Sequence, residues 1–152
     1  MEAPTVFWED IEAGSEYWGS EETADRDDMV DFASRYDPWP MHLSDAGGRA
    51  TPYGGLIASG GYTIGLWYRS GHAIWNRPGA VWAFQGGLDW HVRFVRPLRP
   101  GDRVRLRIVC IETRLTSMPG RGMGRSESHL VNPDGEPVLS LDLTWMMATR
   151  PT

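Results

Sequence analysis

The chain has 152 residues, 41% of them hydrophobic and 23% charged, with a formal net charge of -5 at pH 7. That length suits a single domain over residues 1–152 with a core of its own, the acidic balance leaves no basic patch of the kind nucleic acid demands, and no apolar run approaches a membrane span. One cysteine, Cys110, excludes an internal disulfide framework; Met1 leads straight into Glu2 with no signal-type segment, so the expected location is cytoplasmic.

In chain order, Val6 to Trp18 predicts a short edge strand broken by a turn at Gly14. Asp25 to Tyr36 predicts an amphipathic helix: Asp25 suits the N-cap, Asp27 and Asp28 suit the positive end of the dipole, and Met29, Phe32, Ala33 and Tyr36 recur at helical spacing. Pro38 ends it. Asp37-Pro38-Trp39-Pro40-Met41-His42 then places a carboxylate and an imidazole in a stretch whose prolines oppose a helix. Ser44 suits the cap of one or two helical turns within Leu43 to Ala50.

Gly54 to Gly61 leads into a second helix within Tyr62 to Trp75, apolar nearly all round and therefore expected to be buried, with Thr63, Gly65, Ser70 and Gly71 small enough for close backbone packing and Gly65 and Gly71 weakening it so that its end falls anywhere between Ser70 and Trp75. After a turn over Asn76 to Gly79 the chain reads as strands: Ala80 to Gln85, Leu88 to Phe94, Val104 to Thr113, Gly124 to Val131 and Val138 to Met147. In the second of these, Leu88, Trp90, Val92 and Phe94 form one apolar face. Helices early and strands late predict an α+β domain. Exposed strand edges would favour pairing with a second copy.

The candidate chemistry lies at Asp37, His42 and Gly60. A glycine pair entering a buried helix leaves first-turn N–H groups free to stabilise negative charge, and beside a carboxylate and an imidazole they make an acid or base, its partner and an oxyanion donor. Taken singly, the same residues read as a helix-terminal turn, a surface imidazole and a tight turn. Asp89 and His91 share a strand face but lack a third ligand, so no metal is expected. Arg93, Arg96 and Arg99 fit either carrier phosphates or ordinary wet surface.

Together the helix, the Asp37-Pro38-Trp39-Pro40-Met41-His42 loop, Tyr53-Gly54-Gly55-Leu56-Ile57-Ala58-Ser59-Gly60, and Val92 to Asp102 resemble the MaoC-type acyl dehydratases, a family that includes the (R)-specific enoyl-CoA hydratases. The likeness runs from about Phe7 to Met147. It implies a hot-dog fold, an antiparallel sheet wrapped round a central helix, and hydration of a trans-2-enoyl thioester or its reverse. Asp37 and His42 would be catalytic, and Gly60 N–H would meet the thioester carbonyl. Ser59, Trp39 and Tyr62 would join Gly60 in binding substrate. Trp39 stands where the family pattern has Asn, and Ser59 where it often has His. The implied partner is an acyl-CoA or acyl-carrier thioester, bound as substrate by a homodimer or higher homo-oligomer with no cofactor, nucleic acid or membrane. Thioester hydrolysis on the same fold, or acyl binding without turnover, are the alternatives.

Overall fold

A computed structural model describes residues 1–152. The first strand, β1 (Glu16–Thr23), is followed by the helix that Asp25 caps, α1 (Arg26–Tyr36). The Asp25 carboxylate accepts the Asp28 N–H at 2.9 Å, which satisfies one of the four free donors of the first turn. The strand expected over Val6 to Trp18 is displaced: Val6 makes a lone bridge to Trp82, Trp8–Asp10 is a 3-10 turn, and Gly14 turns at a φ of 89° into β1.

Two short helices, α2 (Pro40–Leu43) and α3 (Asp45–Arg49), lead to the long α4 (Gly60–Trp75). A tiny hairpin of β2 (Asn76–Arg77) and β3 (Ala80–Val81) precedes four long strands, β4 (Phe84–Phe94), β5 (Arg103–Leu115), β6 (Arg121–Val131) and β7 (Pro137–Ala148). The sheet order is β1-β5-β6-β7-β4, antiparallel throughout. The strands expected at Ala80 to Gln85 and Leu88 to Phe94 are instead the two-residue β3 and a continuous β4, whose register against β7 shifts around Gly86 and Gly87.

The core lies between α4 and the sheet. Leu66, Trp67 and Ile74 of the helix join Leu106, Leu130, Leu139, Leu141 and Met147 of the strands in one buried cluster, the apolar burial that dominates folding free energy. Inward-facing serines satisfy the indoles: Trp67 donates to Ser128 Oγ and Trp145 to Ser126 Oγ, each at 2.9 Å. Two surfaces differ from expectation. The helix is not covered all round, since Gly61, Gly65, Tyr68, Arg69, His72 and Ala73 stay exposed because the sheet packs on one side only. The apolar face of β4 is also only partly covered: Trp90 touches Trp67 and Phe94 lies against Gly60, yet Leu88, Trp90 and Phe94 stay exposed because α4 packs chiefly on β1 and β5, away from this edge strand.

The helix is seated by one hydroxyl. In β1, Gly19 and Ser20 stand opposite the single residue Leu106, a bulge between the Trp18 and Glu21 pairings. Ser70 Oγ of α4 fills it, donating to Ser20 O at 2.6 Å and accepting the Leu106 N–H at 2.9 Å. A side chain at Gly19 would collide with Ser70, so the strand approaches this closely only as glycine. Ser70→Ala leaves a buried N–H and a buried carbonyl without partners, and is expected to lower unfolding free energy by about 1–3 kcal/mol in urea titration.

Candidate active site

Asp37 closes α1, its N–H bonded to Ala33 O at 2.9 Å, and Pro38 prevents the helix continuing. The chain turns at once, with Trp39 N–H on Asp37 O at 2.8 Å. Contrary to expectation, helix resumes at Pro40, which is the first residue of α2. There a missing N–H removes no helical bond and the fixed φ suits the helix, so one proline, Pro38, stops a helix and another, Pro40, starts the next. One turn of α2 carries His42 back under Asp37, burying its ring to 8% exposure.

The geometry fixes the imidazole. His42 Nδ1 lies 2.9 Å from Ile57 O, and because a carbonyl only accepts, Nδ1 carries the proton. In the neutral ring Nε2 is then the free lone pair, and it lies 3.5 Å from Asp37 Oδ2. Ser59 Oγ donates to the same Oδ2 at 2.7 Å, and the Asp37 side chain remains 35% exposed, open to solvent along one edge. The structure therefore brings Asp37, His42 and Ser59 together from three segments.

Ser59 occupies the N-cap of α4 but does not cap it, because its hydroxyl goes to Asp37. The Gly60 and Gly61 N–H groups have no protein acceptor and stand at the positive end of a 16-residue helix. Crowding explains both glycines. A Cβ at Gly60 would sit 2.6 Å from the Phe94 ring, and one at Gly61 2.7 Å from Phe32.

The other expected site residues lie apart. Trp39 is 64% exposed, its indole without an acceptor, on the outer side of the loop. Tyr62 is buried, and its hydroxyl accepts the Asp25 N–H at 3.2 Å, at the opposite end of α1 from Asp37; burial pushes its phenol above the ordinary value. Arg96 is held by Glu136 at 2.6 Å and Arg99 by Tyr53 O at 2.6 Å, whereas Arg93 has no acidic partner. Ile57 O and Phe94 were not foreseen as parts of the site. A main-chain carbonyl leaves no mark in a sequence, and Phe94 was legible only as one member of an alternating strand.

The segment delivering Ile57 and Ser59 is stapled at both sides. Ile57 N–H bonds Met41 O at 3.1 Å and Ala58 N–H bonds Leu98 O at 2.8 Å. Asp45 accepts Leu56 N–H on one oxygen and Arg26 on the other. Those contacts, the Leu56 amide first and Arg26 second, hold the Asp45 carboxyl below its usual value. A depressed carboxylate stabilises the fold above its unfolded pKa, about 3.9, and this contribution is lost as pH falls through the lower folded value. Asp45→Asn is accordingly expected to lower the urea midpoint at pH 7 and to narrow the gap from wild type below about pH 4.

An antiparallel sheet packed on one long helix, with a carboxylate and imidazole gathered at the helix entrance, defines a hot-dog α+β protein. The chain belongs to the MaoC like domain family, whose sequence model matches residues 12–129. No curated protein sequence matches it. Among solved structures it is similar to the MaoC-like dehydratase from Rhodospirillum rubrum, at 24% identity over 97% of this chain and 100% of that one, with a TM-score of 0.87. It is similar also to the (R)-hydratase PhaJ1 from Pseudomonas aeruginosa, at 22% identity over 96% and 87%, TM-score 0.70. A third is the HadBC (3R-hydroxyacyl-ACP dehydratase) complex from Mycobacterium tuberculosis, at 18% identity over 88% and 96%, TM-score 0.71. At these identities the likeness is one of fold.

Proposed function

We propose that residues 1–152 act as one hydro-lyase unit that adds water to a trans-2-enoyl thioester, or removes it from a 3-hydroxyacyl thioester. The observation that carries this reading is the convergence of Asp37, His42 and Ser59 beside a helix whose first N–H groups are unpaired. Membership of the MaoC-like family supports it, as do one neighbour named an (R)-hydratase and another named a 3R-hydroxyacyl-ACP dehydratase.

In this mechanism a water molecule donates one hydrogen bond to Asp37 and the other to His42 Nε2. Nε2 takes a proton as the water oxygen bonds to the β-carbon, and the alkene electrons move towards the thioester oxygen. Gly60 N–H meets the growing enolate charge. The imidazolium, steadied by Asp37, returns its proton to the α-carbon on the same face, a syn addition that restores the neutral ring. The reverse order of steps eliminates water. Ser59 holds the Asp37 carboxylate and has no contact with the reacting carbons. The substrate is an acyl-CoA or acyl-carrier thioester, and the free edge and exposed apolar face of β4 favour a homodimer joined there.

Mixing pure protein with enoyl-CoA esters while following enoyl absorbance and free thiol tests the reaction. Absorbance should fall without thiol release; thiol release with the alkene intact would mark hydrolysis instead. Asp37→Asn and His42→Ala are each expected to lower kcat about 10²–10⁴-fold with folding retained, and Ser59→Ala about tenfold. Near-normal rates in either of the first two would defeat the assignment.

The oxyanion donor can be tested separately. Gly60 is the first residue of α4, where proline is tolerated, and Ser59 at φ -59 and ψ 145 already has the backbone that precedes proline. Since Phe94 would collide, Gly60→Pro is made with Phe94→Ala. Relative to Phe94→Ala alone, kcat is expected to fall about 10²–10³-fold, with the circular dichroism of the helix unchanged.

A further inference from the structure

A cavity of about 470 Å³ lies between the C-terminal half of α4 and the sheet, within the range that holds organic ligands. Five of the chain's eight tryptophans, Trp67, Trp75, Trp82, Trp90 and Trp145, line it. Protein interiors are otherwise close-packed, and walls facing an empty space this large would forgo their dispersion contacts. The rings do not fill it by stacking on one another. Trp67 meets Tyr68, Trp75 and Trp90 at centroid distances of 5.4, 5.4 and 5.6 Å, tilted or edge-on rather than in parallel stacks. Trp67 and Trp145 spend their indole N–H groups on Ser128 and Ser126, whereas those of Trp75, Trp82 and Trp90 have no protein acceptor.

The cavity is in line with the site. From Gly60 to Trp67 the helix advances seven residues, about 10 Å. Strand β4 runs alongside, with Phe94 against Gly60 at one end of this interval and Trp90 5.6 Å from both Trp67 and Tyr68 at the other. The free N–H groups and the aromatic walls thus lie along the same pair of elements, α4 and β4, about 10 Å apart. The cavity shares no lining residue with Asp37, His42 or Gly60, so the reacting carbons stay outside it and only the far end of an acyl group enters.

We propose that this cavity receives the distal part of the acyl chain, and that the acyl group it is shaped for carries a ring, aryl or fused, separated from the thioester by a short spacer. This rests on the hydratase reading for the position of the carbonyl. A flat ring can stack on indole faces and meet ring edges, a gain a straight alkyl chain lacks, and a ring oxygen would find the free indole donors.

The test uses saturated thioesters, which cannot be hydrated: 5-phenylpentanoyl-CoA and undecanoyl-CoA, equal in carbon number, titrated calorimetrically into the protein. The ring-bearing ester is expected to bind about tenfold more tightly, the worth of one good aromatic contact. In Trp90→Ala and Tyr68→Ala, both partly exposed and each checked for unchanged circular dichroism and oligomeric state, the affinity ratio should fall towards one. Equal affinities in the wild type, no binding of either ester, or a ratio preserved in both variants would overturn the proposal. Ring-selective binding through Trp90 and Tyr68 without turnover of any enoyl-CoA would remove the hydratase reading and leave this one standing. Turnover of crotonyl-CoA without ring selectivity would do the opposite.

Discussion

The hydroxyl of Ser70, seated in the β1 bulge, is the constraint on which the rest of the structure depends. It is buried, and both its donor and its acceptor capacity are used, by Ser20 O and Leu106 N–H. A satisfied buried polar contact is directional in a way that apolar packing is not. Ten residues of helix, about 15 Å, separate Ser70 from Gly60, and a rigid rod held at one point and pressed on a sheet has little freedom at its far end. The position of the unpaired N–H groups is therefore set by a bond made well away from them.

What gathers at that far end is held mainly by main-chain partners. His42 is fixed by Ile57 O, Ile57 by Met41 O, and Ala58 by Leu98 O. The segment between Thr51 and Ser59 has no regular structure of its own, yet five tethers tie it to α2, α3 and the stretch after β4. Such a frame fixes where His42 and Ser59 stand relative to Asp37. Within it Ser59 gives up the capping of α4 in order to hold Asp37, so the same residue leaves the amides free and orients the carboxylate.

The parts legible in the sequence were those encoded locally. Asp25 and Ser44 cap helices as read, since a cap depends on a side chain and an N–H three residues away. The buried faces of β5 and β7 follow from alternation, whereas that of β6, made of glycines and serines as far as Leu130, carries no apolar signal. Gly60 opens α4 as expected. The restart of helix at Pro40 was missed because a single proline carries opposite meanings at the two ends of a helix. The open face of β4 was missed for a different reason: alternation says which side chains share a face, and what covers that face is a property of the assembly. The direction of the Tyr62 side chain, whose hydroxyl meets the Asp25 N–H at the start of α1, is decided by packing against that helix, which local pattern does not encode.

The bond from His42 to Ile57 has an evolutionary consequence. Tautomer control in many imidazole sites rests on a carboxylate, which one nucleotide change can abolish. Here it rests on a peptide carbonyl, present whichever amino acid occupies position 57. Drift at that position can alter the fit of the side chain but cannot remove the acceptor, so the tautomer of His42 is protected against the commonest kind of genetic damage.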